Sequence, residues 1–162
     1  MSALSGFPPI LDARTRILIL GSFPGVASLD HGQYYAHPRN QFWRLVGAGI
    51  AEPLLHELDY ETRVARLRQA GVGVWDVVQQ CQREGSLDSR IRDAALNPLA
   101  MTLRQQAPAL RRIGFNGGLA WKWGAFLAEG DYLLFKLPSS SPAAAMFSFE
   151  EKLARWRPLF DA

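Results

Sequence analysis

The chain has 162 residues, 48% of them hydrophobic, enough for one filled core and too few for two, so a single domain over 1–162 is expected. No run approaches the ~20 apolar residues of a membrane span, and no basic stretch leads into an apolar core with a small-residue cleavage site, so a cytoplasmic protein with no membrane partner is expected. The net charge is only +3, but fifteen of the eighteen basic residues are arginines; their planar fork suits phosphate, and a plain surface bias toward arginine explains the same count.

In chain order, residues 17–20 form an apolar run that reads as a buried strand, ending in the glycine-proline turn "GSFPG". An aromatic-rich stretch follows, in which Tyr34, Tyr35, His37, Asn40, Phe42 and Trp43 are mixed with prolines and arginine, a mixture that suits a pocket for a flat ring near a phosphate better than a core. Phe42 and Trp43 sit at the start of a helix and belong to the core. Residues 59–69 have helical periodicity, 72–75 a strand pattern, 97–106 a helix, 113–115 a strand, 119–127 a helix and 132–137 a strand. The helix over 148–160 opens with Ser148 and Glu151 at capping-box spacing. Residues 83–92, "REGSLDSRIR", are the most loop-like interior segment.

Strands this apolar on both faces need helices on both faces, and right-handed crossovers make them parallel. The expected fold is α/β, a three-layer α/β/α sandwich around a four-stranded parallel sheet. Ligands of such sheets bind beyond the carboxyl ends of the strands. There stand "GSFPG", "DVVQQCQREGSLDS", "NGG" and "PSSSPAAA", one after each strand.

Each segment has a chemical reading. "GSFPG" lacks the spacing and lysine of a P-loop and fails as a dinucleotide fingerprint, but its glycines let a ligand approach the backbone. "PSSSPAAA" presents Ser139, Ser140 and Ser141 between prolines, suited to phosphate, with no G-x-S-x-G elbow to make one a nucleophile. Asn116, before the glycine pair, either caps the next helix or offers its amide to a base edge carrying a carbonyl beside a ring N–H. Cys81 is alone, and His31, His37 and His56 lack metal-ligand spacing, so neither a disulfide, a metal nor a cofactor is expected.

Taken in order, "GSFPG", "YYAHPRNQFW", "FNGG" and "LPSSSPAAA" resemble the motifs of the uracil-DNA glycosylase superfamily, and of its hypoxanthine-DNA (deoxyinosine) glycosylase branch in particular, over nearly the whole chain. Mismatch-specific members carry a water-positioning asparagine in the first motif where this chain has Phe23; the hypoxanthine branch resembles this chain in having one in "HPRN", so the resemblance gives that role to Asn40. It implies a monomer that flips a deaminated base (hypoxanthine, uracil or xanthine) out of DNA and hydrolyses its glycosidic bond, leaving an abasic site. The Ser22–Phe23 turn and Asn116 would hold the departing base, with Phe23, Tyr34 or Tyr35 stacked on it. Gly25, His37, Ser86, Ser89, Ser139, Ser140 and Ser141 would meet the DNA, with Met146 or Phe147 entering the gap. Asp76, ending the second strand, either polarises water or is a buried structural carboxylate. Two rivals remain open: a non-catalytic nucleic-acid binding module, favoured by Phe23, and a hydrolase of free nucleosides.

Overall fold

The computed structural model describes residues 3–161; residues 1, 2 and 162 of the expected domain lie outside the described residues. Four strands, β2 (Ile17–Gly21), β3 (Val72–Asp76), β6 (Arg112–Asn116) and β7 (Leu133–Leu137), form a parallel sheet in the order β3-β2-β6-β7. These are the four apolar runs of the sequence, with each end shifted by at most one residue. Alternate side chains go to opposite faces. Leu18, Leu20, Ile113 and Phe115 join one core with α4 (Leu99–Gln106) and α5 (Gly118–Gly124). Ile19, Val72 and Val74 join another with α2 (Phe42–Gly49), α3 (Tyr60–Gln69) and α6 (Phe149–Phe160). The three layers follow from this two-sided burial.

A second sheet was not expected. β1 (Leu4–Ser5), β4 (Val78–Gln82) and β5 (Arg92–Leu96) pair antiparallel in the order β1-β4-β5, so the alternation of single strands and helices read from sequence is incomplete. Part of the stretch read as a loop after the second strand is β4, and Arg92, the end of the segment read as most loop-like, opens β5. The reason lies in the residues: every β5 position is exposed, and Arg-Asp-Ala-Ala-Leu has little strand preference, so pairing with β4 alone makes it extended. Val78 and Cys81 of β4 face the core beside Phe23 and thereby pack the small sheet onto the large one.

Local signals account for the helix ends. Asp59 caps α3, its carboxylate accepting the Thr62 N–H at 2.8 Å. Ser148 and Glu151 form the expected reciprocal box at 3.2 and 3.1 Å. The helix read over 119–127 is shorter: α5 tightens at Gly124 into a 3₁₀ turn, Ala125–Glu129. A short helix, α1 (Val26–His31), follows the "GSFPG" turn.

Trp156 of α6 is fully buried, and its indole N–H donates to the Pro138 carbonyl at 2.8 Å, tying α6 to the serine loop after β7. Trp156→Ala is expected to cost about 3–5 kcal/mol of stability, read from urea denaturation midpoints.

Candidate active site

The strand ends open into a cavity of about 480 Å³. It lies where the chain leaves β2 for β3 on one side and β6 for β7 on the other, the switch point at which sheets of this kind take ligands. All the sequence-predicted site residues line it except Met146, which stands 85% exposed outside.

Asn116 ends β6 and is buried. Its Oδ1 accepts the Ser140 N–H at 2.9 Å, while its Nδ2 donates to Ser140 Oγ at 2.9 Å and to Tyr35 Oη at 3.2 Å. The amide does not cap α5, which has no side-chain cap. Gly117, at φ +103°, turns the chain away directly after it, a conformation closed to L side chains. Ser140 is 1% exposed, and its carbonyl also accepts the Gln41 N–H at 3.0 Å. Instead of facing a phosphate, Ser140 bolts Asn116 to the segment bearing Asn40.

Asn40 is half-buried at the end of a turn closed by its own N–H donating to the His37 carbonyl at 3.0 Å. Its Oδ1 accepts the Phe42 N–H at 2.9 Å, which fixes the amide at the start of α2 and leaves that oxygen's second lone pair for another donor. His37 accepts the Arg39 N–H on Nδ1 at 3.1 Å, so the neutral ring carries its proton on Nε2.

The three candidate stacking rings separate clearly. Tyr34 is 4% exposed, packs edge-on to Phe7 and donates its hydroxyl to the Pro8 carbonyl at 2.9 Å, so it is mostly wall. Tyr35 lies face to face with Phe42 at 3.9 Å, at a φ of +54° that few non-glycine residues adopt. That stacking, its hydroxyl contact and the Trp43 indole N–H donating to its carbonyl at 3.2 Å hold it there. Burial drives both phenol pKa values upward, so both hydroxyls stay protonated. Phe23 has the Arg83 guanidinium 5.3 Å from its ring centre.

The serine loop is internally braced. Ser139 Oγ accepts the Ser141 N–H at 3.1 Å, and Ser141 Oγ accepts the Ala143 N–H at 3.2 Å. Lys152, 2% exposed on α6, reaches the Ser141 carbonyl at 3.5 Å, and burial lowers its pKa. Its closeness was invisible in sequence because Lys152 lies eleven residues beyond Ser141, across a loop. Across the mouth, Ser86 Oγ accepts the Val26 N–H at 2.9 Å beside Gly25, and Ser89 is exposed with its carbonyl accepting from Arg92 at 3.0 Å.

Sequence reasoning undervalued Asp76 and missed Arg83. Asp76 ends β3, is 4% exposed and lines the cavity, with no hydrogen-bond partner for Oδ2. Desolvation, helped by the neighbouring Asp88 and opposed by Arg83, pushes its carboxyl up to about 7. Asp88 itself accepts the Ser22 hydroxyl at 2.6 Å, yet burial still raises it. Arg83 is 5% exposed and donates to the Pro24 and Gly85 carbonyls at 2.6 and 2.7 Å, with Nη1 unpaired. Among the described residues, no three of His, Cys, Asp and Glu gather as a metal would require.

With this geometry in place, the comparisons are informative. The family described as the Uracil DNA glycosylase superfamily matches residues 8–160. A protein of Methanosarcina acetivorans named hypoxanthine DNA glycosylase is 42% identical over 155 residues, 96% of each chain. One of the same name from Methanosarcina barkeri is 38% identical over the same share. The solution NMR structure of a Methanosarcina acetivorans protein superposes with a TM-score of 0.85 at 40% identity, covering 99% of this chain and 100% of that one.

Two outcomes are expected. Ser140→Ala leaves a buried Asn116 donor unsatisfied and should cost about 1–3 kcal/mol of stability, measured by denaturant titration. Because the Asp76 pKa is raised from 3.8 to about 7, the folded state keeps a proton that the unfolded chain releases. The stability it contributes is complete below the unfolded value and lost as pH rises through the folded one. Asp76→Asn should therefore melt higher relative to wild type at pH 8 than at pH 4, and a gap that does not widen with pH would show an ordinary carboxylate.

Proposed function

This chain belongs to the uracil DNA glycosylase superfamily, and we propose that it is a monofunctional DNA glycosylase that takes deaminated bases, hypoxanthine foremost, out of DNA and hydrolyses their glycosidic bond. It works as one domain and a monomer, which the lining of the cavity by residues from both halves of this chain supports, and it acts in the cytoplasm. The observation that carries the reading is that Asn40, Phe23 and Asn116, far apart in sequence, share one cavity at the sheet's switch point.

Cleavage builds positive charge on the sugar and negative charge on the departing base. Asn40 is too weak a base to deprotonate water, but its Oδ1, held by the Phe42 N–H, orients a water beneath C1′ through its remaining lone pair. The flipped base enters with its lactam edge toward Asn116. There its carbonyl displaces the longer Tyr35 contact and accepts from Asn116 Nδ2, while the two Ser140 bonds keep the amide in place. Backbone N–H groups of the Ser22–Phe23 turn add donors for the leaving base. Such preorganised donors each contribute roughly 10²–10³ in rate.

Phe23 is the stacking ring. All three rings line the cavity, but Tyr34 is tied to Pro8 and Tyr35 is stacked on Phe42, whereas Phe23 makes no ring stack and has Arg83 beside it. Ser139 and Ser141 flank the entrance with Gly25, His37, Ser86 and Ser89 and meet the backbone of the DNA. Met146, the most exposed large apolar side chain among the described residues, enters the gap left by the base. Phe23 in place of an amide favours a binding module with no chemistry; Asn40 in the same cavity supplies the missing amide and supports catalysis instead.

Labelled duplexes containing deoxyinosine, treated with hot alkali after incubation, should show strand scission at the lesion. Scission on none of deoxyinosine, deoxyuridine and deoxyxanthosine would leave only the binding module, and release of base from free inosine alone would favour the nucleosidase. Asn40→Ala should slow single-turnover excision by about 10²–10³-fold without moving the melting temperature, and borohydride should trap no protein–DNA adduct.

A further inference from the structure

Asp76 is the buried titratable group that the mechanism above leaves without a task. Its Oδ1 and the Tyr35 hydroxyl oxygen both lie within 2.7 Å of the point where a Cβ on Gly21 would sit, and Tyr35 in turn accepts from Asn116 at 3.2 Å. Asp76, Tyr35 and Asn116 thus follow one another along a single wall of the cavity. Along one edge of hypoxanthine the ring N–H, the carbonyl and N7 follow one another in the same way. Set with its carbonyl accepting from Asn116 Nδ2 in place of Tyr35 and N7 toward the Tyr35 end of the wall, this edge brings N7 beside Tyr35 and Asp76.

Resting on the glycosylase reading, we infer that the Asp76 carboxyl is the general acid that protonates N7 of the departing purine. As the bond from C1′ to N9 breaks, its electron pair passes into the purine ring and N7 takes the carboxyl proton, so hypoxanthine leaves neutral. The oxygen of the water held by Asn40 bonds to C1′, and the proton that this water sheds restores the carboxyl. A pyrimidine offers no such nitrogen, so the step is specific to purines.

The surroundings of the carboxyl keep it protonated. Oδ2 has no partner and no cation lies within salt-bridge distance of Asp76 among the described residues. An uncompensated buried carboxylate is costly, so the neutral acid is favoured. The groups facing it are Asp88 from the loop after β4, which opposes ionisation, Arg83 at the end of β4, which favours it, and the neutral phenols Tyr34 and Tyr35. The resulting value of about 7 suits a general acid at physiological pH.

The test uses single-turnover excision by wild type and Asp76→Asn on duplexes carrying deoxyinosine or 7-deaza-2′-deoxyinosine, which lacks only the N7 acceptor. Asparagine keeps the size and a donor but has no proton to release. On deoxyinosine, the wild-type rate should fall as pH rises through about 7, and Asp76→Asn should be slower by about 10²-fold with a flat profile over that range. Replacing N7 should slow wild type, whereas Asp76→Asn should lose far less on the same replacement. Equal losses in the two proteins would overturn the assignment, as would an N7 effect that survives in Asp76→Asn and vanishes in Tyr35→Phe. No hypoxanthine release by wild type at any pH overturns the glycosylase reading and this step together, whereas brisk release indifferent to N7 overturns only this step.

Discussion

The site depends on the three backbone and side-chain contacts of Ser140. Its N–H and hydroxyl oxygen hold both ends of the Asn116 amide, and its carbonyl takes the Gln41 N–H. Asn116 comes from β6, Ser140 from the loop after β7 and Gln41 from the entrance to α2, so one buried residue aligns three parts of the chain. Each of these groups would be expensive to leave unpaired at this depth, and they satisfy one another only in one arrangement. The alignment of Asn40 with Asn116 is therefore a consequence of ordinary burial, enforced from below by Trp156 and Lys152 of α6, which both reach the same loop.

Around this fully satisfied centre lie groups that are not satisfied. Asp76 Oδ2 and Arg83 Nη1 are both buried without partners. A structural network would be expected to bring such charges together into an ion pair. Here Arg83 donates instead to the Pro24 and Gly85 carbonyls and covers Phe23, while Asp76 lines the cavity with Oδ2 unpaired. Asp88 takes the Ser22 hydroxyl at the base of the first-motif turn. Asp76 lines the cavity itself, and the fold carries this cost because two apolar cores, one on each face of the sheet, are complete.

The sequence disclosed the large sheet because its signal is local: four apolar runs bounded by turn residues, with alternate residues bound for opposite cores. It disclosed the rim because the motif residues sit at strand ends. The small sheet was hidden, since β5 presents five exposed residues and is extended only through pairing with β4. The tasks of Ser140 and Lys152 were hidden for another reason. A serine between prolines reads as a phosphate contact until its depth is known, and a lysine on the last helix shows no link to a loop eleven residues upstream. Asp76 was visible as a strand-ending acid, but its lack of a partner is a three-dimensional fact.

The glycine that opens "GSFPG" shows how closely these features are joined. Gly21 pairs with Asp76 across the parallel register and has no positive φ, so its need for glycine is spatial. A Cβ there would come within 2.6 Å of the Asp76 carboxyl and 2.7 Å of the Tyr35 hydroxyl. Real atoms do not approach that closely, so a methyl group would have to push both polar groups aside. Tyr35 has little freedom to yield: its backbone is in the left-handed region and its ring is pressed on Phe42. Displacing its hydroxyl would in turn disturb Asn116, which donates to it. The missing side chain at residue 21 is thus the space in which an acid, a phenol and an amide are brought along one wall, and the chemistry of the cavity begins with that vacancy.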